Sequence, residues 1–269
     1  MSLIQLGAFL AAGLFLGVLA FLELGRRIGR RRIASGDTEG SGFGAVESAI
    51  FGLMGLLIAF TFSGAAGRFD ARRDLVTQEA NNIGTAWLRI DLLPADAQVT
   101  LRDLFRRYLD SRLATYRSVR NMDVAMAEYG RSAALQLDIW TAAVAGCKDP
   151  GAAPGACVLV LGSLNDMIDI TTTRLMASRM HPPNVIFAML VVLTLAGALL
   201  AGHAMASHPR WSWTHVLALA TVMSATVYII IDLEYPRLGI IRVDAVDDVL
   251  VDLRKSMDAV PPGAGTNTP

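Results

Sequence analysis

AFTFSGAAGRFDARRD, residues 59–74, opens as apolar sequence of membrane grade and closes as a run of charges. No proline occurs from residue 45 to residue 93, so both halves read as one helix of roughly 45 residues, about 65–70 Å long at about 1.5 Å per residue. A helix that passes unbroken from an apolar medium into a charged one implies a chain with a membrane part and an extramembrane part.

Composition agrees. The 269 residues are 53% apolar and 18% charged, and the mean hydropathy is +0.45, which is greasier than an ordinary soluble domain. The 24 basic residues are balanced by 24 acidic ones and are scattered, so the basic face that nucleic acid requires is missing. Stretches 3–22, 49–66, 183–206 and 211–231 are each long and apolar enough to span about 30 Å of hydrocarbon. The first has no basic region ahead of it and meets arginines where a secretory signal would carry a small-residue cleavage site, so it reads as a helix of the mature chain. Small residues recur in the spans (Gly13 and Gly17; Gly52, Gly55, Ala59 and Ser63; Ala198, Ala201 and Gly202), which lets helices approach closely in lipid.

Between the second and third spans the chain carries charge throughout and keeps a helical period. After Pro94, the residues Leu101, Leu104, Phe105, Tyr108, Leu109, Leu113 and Tyr116 recur at three- and four-residue steps, the mark of an amphipathic helix. Arg102, Asp103, Arg106, Arg107, Asp110 and Arg112 are expected mostly on its wet side. Two more helices are expected over 124–144 and 158–178, joined by the proline- and glycine-rich loop CKDPGAAPGAC. No useful strand-like alternation occurs, so the fold class is all-α. Four regions follow: residues 1–66 with two spans and a basic connecting loop, 67–182 as an extramembrane helical domain, 183–235 with two further spans, and 236–269 with an amphipathic stretch and a disordered tail.

Catalytic signals are weak. The four histidines lack metal-ligand spacing, GSGFG at 40–44 follows no strand and is no nucleotide cradle, and no serine or cysteine sits in a base-bearing motif. Asp244, Asp247, Asp248 and Asp252 alternate with aliphatic residues and lack the ligand density of a calcium loop. No enzyme activity, cofactor or metal is expected.

The run GLLIAFTFSGAAGRFDARRDLVTQEANNIG resembles the second transmembrane segment of bestrophins. The arginines after the first span, EANNIGTAWLRIDLLP, and IDLEYPRLGIIRV after the fourth resemble the bacterial bestrophin-like membrane family over nearly the whole chain. The resemblance implies a homo-oligomer, a pentamer in bestrophins, that conducts chloride or other small anions between copies of the second span. It also implies a pore neck at Gly52, Leu56 and Phe60. Two of these suit a hydrophobic constriction, whereas Gly52 departs from the family pattern and widens the outer ring.

On the same helix, Arg68, Arg72, Arg73, Glu79, Asn81 and Asn82 form the expected charged collar and vestibule. The arginines would concentrate anions and the amides would replace part of an anion's hydration. Glu79 opposes this unless an arginine pairs with it or it faces away from the axis. For Arg68, Asp70, Arg72, Arg73 and Asp74 a plainer reading stands beside the collar: interfacial charges paired along the helix, such as Asp70 with Arg73. Asn165, Asp166, Asp169 and Arg174 are expected to hold the long helix by ion pairs.

Cys147 and Cys157 flank the CKDPGAAPGAC loop as a candidate disulfide, or as two reduced thiols; a disulfide would place the domain outside the cytoplasm. Arg26, Arg27, Arg30, Arg31 and Arg32 between spans one and two, with Arg210, favour a cytoplasmic side for the short connections and an extracytoplasmic domain. The bestrophin resemblance implies the reverse. The bilayer of a bacterial inner membrane and small anions are the expected partners. The alternative is a non-conducting membrane scaffold or sensor that binds a protein through its helical domain.

Overall fold

Four helices are long and apolar enough to cross a membrane, and among the described residues there is no strand. The computed structural model describes residues 3–35, 43–119, 121–207, 213–235, 240–241 and 244–259. Arg210, most of the GSGFG connector, parts of IDLEYPRLGIIRV and the expected disordered tail lie outside them. The helices are α1 (Leu3–Ala34), α2 (Phe43–Arg89), α3 (Ala95–Arg117), α4 (Met122–Cys147), α5 (Ala156–Arg179), α6 (Asn184–Ala204), α7 (Trp213–Glu234) and α8 (Asp244–Ala259). α2 runs 47 residues because nothing in it forces a break; it ends in a short 3-10 turn, Ile90–Leu92, ahead of Pro94. The chain divides into two compact units, Met1–Phe69 with His181–Ile241, and Asp70–Met180 with Arg242–Pro269.

In the first unit α1 and α6 run parallel, as four spans with a domain between the second and third require. Gly17 faces Leu195, Gly25 faces Leu199, and Gly29 faces Ala206, the numbers rising together. The approach is close enough that a Cβ on Gly25 would strike the Leu199 carbonyl and one on Gly202 the Leu22 carbonyl. Backbone contact of this kind is how helices gain van der Waals energy in a medium that offers no hydrophobic drive. Val18, Leu22, Ala198, Val216 and Ala220 fill the seam among α1, α6 and α7. The membrane part of α2 joins through side chains: Ala65 packs with Leu190, Ile230 and Leu233, and Met54 Sδ would lie 3.0 Å from a Cβ on Gly197.

The second unit is a water-type helical core. Val76, Ile83, Trp87 and Ile90 from the end of α2 and its 3-10 turn are buried, as are Leu101, Phe105 and Tyr108 of α3, Ile139 of α4, Met167 of α5 and Leu250 and Met257 of α8. α3 and α4 are antiparallel, with Gly146 against Ala97 at one end and the Ser111 hydroxyl on the Glu128 carbonyl (2.9 Å) further along. Asn121 caps α4 by accepting from the Val124 N–H. Gly155, in the left-handed conformation (φ 79°), starts α5. α8 lies on α3, where Arg254 Nε donates to Asp110 (2.8 Å) and Arg106 to the Met257 carbonyl (2.8 Å).

Two residues of α3 depart from the amphipathic reading. Arg102 and Arg112 are buried, not on the wet side. Arg112 stands eleven residues after Leu101, three helical turns at about 3.67 residues each, so it shares that apolar stripe. Arg102 lies across the Trp87 ring (4.9 Å) and pairs with Asp91.

Candidate functional site

Within the membrane part of α2, the face that packs inward carries Met54 and Ala65, and the opposite face is bare. Leu56 is 54% exposed and Phe60 67% exposed. Gly52 is also exposed, with no atom within 4 Å of where its Cβ would stand. The three share one face by their four-residue spacing. Exposed Ser63 and Gly67 continue that face within the first unit, and in the second unit Asp70, Asp74 and Asn81 of α2 are exposed.

The basic residues expected as a collar have specific holders. In the first unit, Arg68 donates from Nε to Glu234 Oε1 at 2.7 Å and from Nη2 to the same oxygen, and Glu234 is fully buried at the end of α7. His181 Nδ1 stands 3.6 Å from the other oxygen of Glu234 and its ring stacks on Tyr235 (centroids 4.5 Å apart). Two residues earlier in α7, Asp232 accepts from the amide N–H groups of Ile240 (3.0 Å) and Ile241 (2.8 Å).

In the second unit, Arg72 donates to the carbonyls of Ala177 (3.1 Å) and Met180 (2.9 Å), satisfying the carboxyl end of α5 where helical carbonyls lack partners. Arg73 lies 3.6 Å from Asp70 along the helix surface. Asn82 donates to the Asp166 carbonyl (2.9 Å), so it braces α5, while Asn81 is exposed. The Asp169 carbonyl accepts from Thr173 (3.1 Å) within α5.

Glu79 is fully buried. Its Oε1 accepts from Arg112 Nε (2.6 Å), and its Oε2 from the Tyr116 hydroxyl (2.7 Å) and from Arg174. Burial pushes the Glu79 carboxyl up, but the charges of Arg112 and Arg174 and the bonds from Arg112 and Tyr116 outweigh it and hold the group below the ordinary carboxylate value. The arginines are further covered by rings: Arg174 lies 4.0 Å and Arg112 4.9 Å from the Tyr116 ring centre, and Arg112 is 5.8 Å from that of Tyr129. Arg174 also lies 3.9 Å from Asp247. Beside this group Tyr108 is buried and accepts from Gln136 (3.1 Å); burial, and secondarily the Glu79 charge, raise its phenol above the ordinary value.

Arg112, Tyr116, Tyr108 and Gln136 are the residues that sequence reasoning missed as a polar group. The available signal was the eleven-residue step from Leu101 to Arg112.

Cys147 and Cys157 are both free thiols, with Cys157 Sγ 3.5 Å from the Cys147 carbonyl. Burial and the neighbouring Cys157 push the Cys147 thiol up to about 11. Among the described residues no group of three His, Cys, Asp or Glu side chains is arranged to hold a metal.

The family model of the Bestrophin-like domain matches residues 12–247. No curated protein and no solved structure matches the chain.

Proposed function

The chain belongs to the Bestrophin-like family, membrane proteins of anion-channel type, and on that premise we propose that it is an ion channel whose pathway is lined by α2 in a homo-oligomer, by family resemblance a pentamer, passing chloride or other small anions. The observation that carries this reading is the bare face of α2: Leu56 and Phe60 expose large apolar side chains on one stripe with Gly52, while Met54 and Ala65 pack inward on the opposite side. Copies of that stripe around an axis make a hydrophobic constriction at Leu56 and Phe60, the type that controls flow by dewetting, with a wider ring at Gly52.

A second reading, cation conduction, is favoured by the charges that follow the constriction. Arg68 and Arg72 are committed to Glu234 and to the end of α5, whereas Asp70 and Asp74 are exposed. Asn81 offers a neutral amide further along α2. Arg73, next to Asp70, is the one expected collar arginine that keeps largely to the surface.

The test is ion flux from liposomes holding the purified full-length protein, with a count of subunits in single-particle images. Flux that rises in Leu56→Ala or Phe60→Ala supports the pathway. Absence of flux over a range of pH and voltage, together with a monomer in detergent, defeats it and leaves the scaffold reading. For orientation, the basic residues at the end of α1 support a cytoplasmic short connection and an extracytoplasmic helical domain. Labelling of Cys147 by an impermeant thiol reagent in intact cells tests this, and protection until the cells are opened overturns it.

A further inference from the structure

The end of α7 holds a carboxylate that, among the described residues, side chains from α2 and from just before α6 reach. Glu234 is withdrawn from water. From α2, Arg68 places two donors on Oε1. From the segment leading into α6, His181 brings Nδ1 to 3.6 Å from Oε2, just ahead of Pro182 and of Pro183, which precedes the first residue of α6. The imidazole is held in place by its stack on Tyr235, and 27% of its side chain is exposed, so protons reach it from solvent.

Among the described residues, the charged and titratable groups in contact with this carboxylate and imidazole include Arg68 from α2, on Glu234, and Tyr235, just after α7, against the imidazole. Asp232, the next carboxylate back along α7, is occupied by the amide groups of Ile240 and Ile241. A neutral imidazole at this site contributes stacking alone. A protonated one adds a cation beside a buried carboxylate, where the low dielectric makes the attraction larger than at an open surface.

We propose that His181 is a proton-operated third member of the Arg68–Glu234 clasp: its protonation ties the segment entering α6 to the end of α7 and to the point where α2 leaves its apolar stretch. Protonation of the imidazole therefore tightens the clasp, and loss of the proton releases it. The device acts inside the single chain and stands whether or not the protein conducts.

The experiment is the apparent thermal midpoint of the full-length protein in detergent from about pH 8 to about pH 5.5, for wild type, His181→Gln and His181→Arg. On acidification wild type gains about 2–4 °C relative to His181→Gln. His181→Arg carries a fixed charge, so its difference from His181→Gln is the same at both ends of the range. Curves for wild type and His181→Gln that stay parallel, whatever their offset, overturn the proposal. So does a wild type that gains nothing relative to His181→Arg as pH falls.

Discussion

Arg112 donates through Nε to Glu79 Oε1 at 2.6 Å with the two side chains 2% and 0% exposed. Two arginines and a tyrosine converge on one carboxylate at that point, each from a different turn or helix. Removing the carboxylate takes the buried counter-charge from both cations and leaves Arg174 the more distant Asp247 (3.9 Å). Glu79→Ala should therefore destabilise the protein by about 3–5 kcal/mol, the cost of breaking a buried pair from one side. Chemical denaturation of the purified protein checks this, and a loss below about 1 kcal/mol, the range of a surface pair, would contradict it.

The same group gives a pH dependence of known sign. The Glu79 carboxyl is held below its ordinary value of 4.5 in the folded chain, so its contribution is fully present above about that pH and is lost as pH falls through the lowered value. Glu79→Gln has no proton to take up there. Its stability should fall less steeply than that of wild type below about pH 4.5, measured by near-ultraviolet circular dichroism.

Gly25 and Gly202 sit where α1 and α6 touch backbone to backbone. The obstruction at each is a carbonyl, which cannot turn aside as a side chain can. Gly25→Ala or Gly202→Ala should cost about 1–3 kcal/mol or more by overpacking, seen as lower yield and lower midpoint. Gly52→Ala is the control: nothing lies within 4 Å, and alanine is the better helix former.

Selectivity separates the two readings of the pathway. If the exposed acids of α2 set the local potential, Asp70→Asn with Asp74→Asn should move the reversal potential under a salt gradient toward that of the anion, since fixed charge changes local ion concentration roughly tenfold or more. An unchanged reversal potential would take the acids off the pathway. Arg68→Gln should instead lower stability, because Arg68 holds Glu234.

The membrane spans and the long second helix were legible because they rest on run lengths and on the placing of prolines, both one-dimensional properties. Pro94 marks where α2 and its terminal turn give way to α3, and Pro182 and Pro183 mark where α6 begins. The bracing role of Arg174 was within reach for the same helix-by-helix reason, whereas Asn82, expected in the vestibule, donates to the Asp166 carbonyl instead. The Glu79 group was not, since an arginine is placed outside by its charge unless its partners are known, and Glu79, Arg112 and Arg174 come from three helices far apart in sequence. Gly25 was missed because one glycine on α1 matters only through the carbonyl of Leu199 on α6.

That glycine contact has a mechanical consequence. α1 and α6 are joined main chain to main chain, and such a joint cannot slide without collision. The apolar part of α2 is held in its unit by Met54, by the small cluster around Ala65 and by the Arg68 pair. Side chains of that kind can change rotamer while their contacts persist. α2 is therefore able to rotate or shift by a fraction of a turn while α1 and α6 stay locked to each other, and the stripe bearing Leu56 and Phe60 would turn with it.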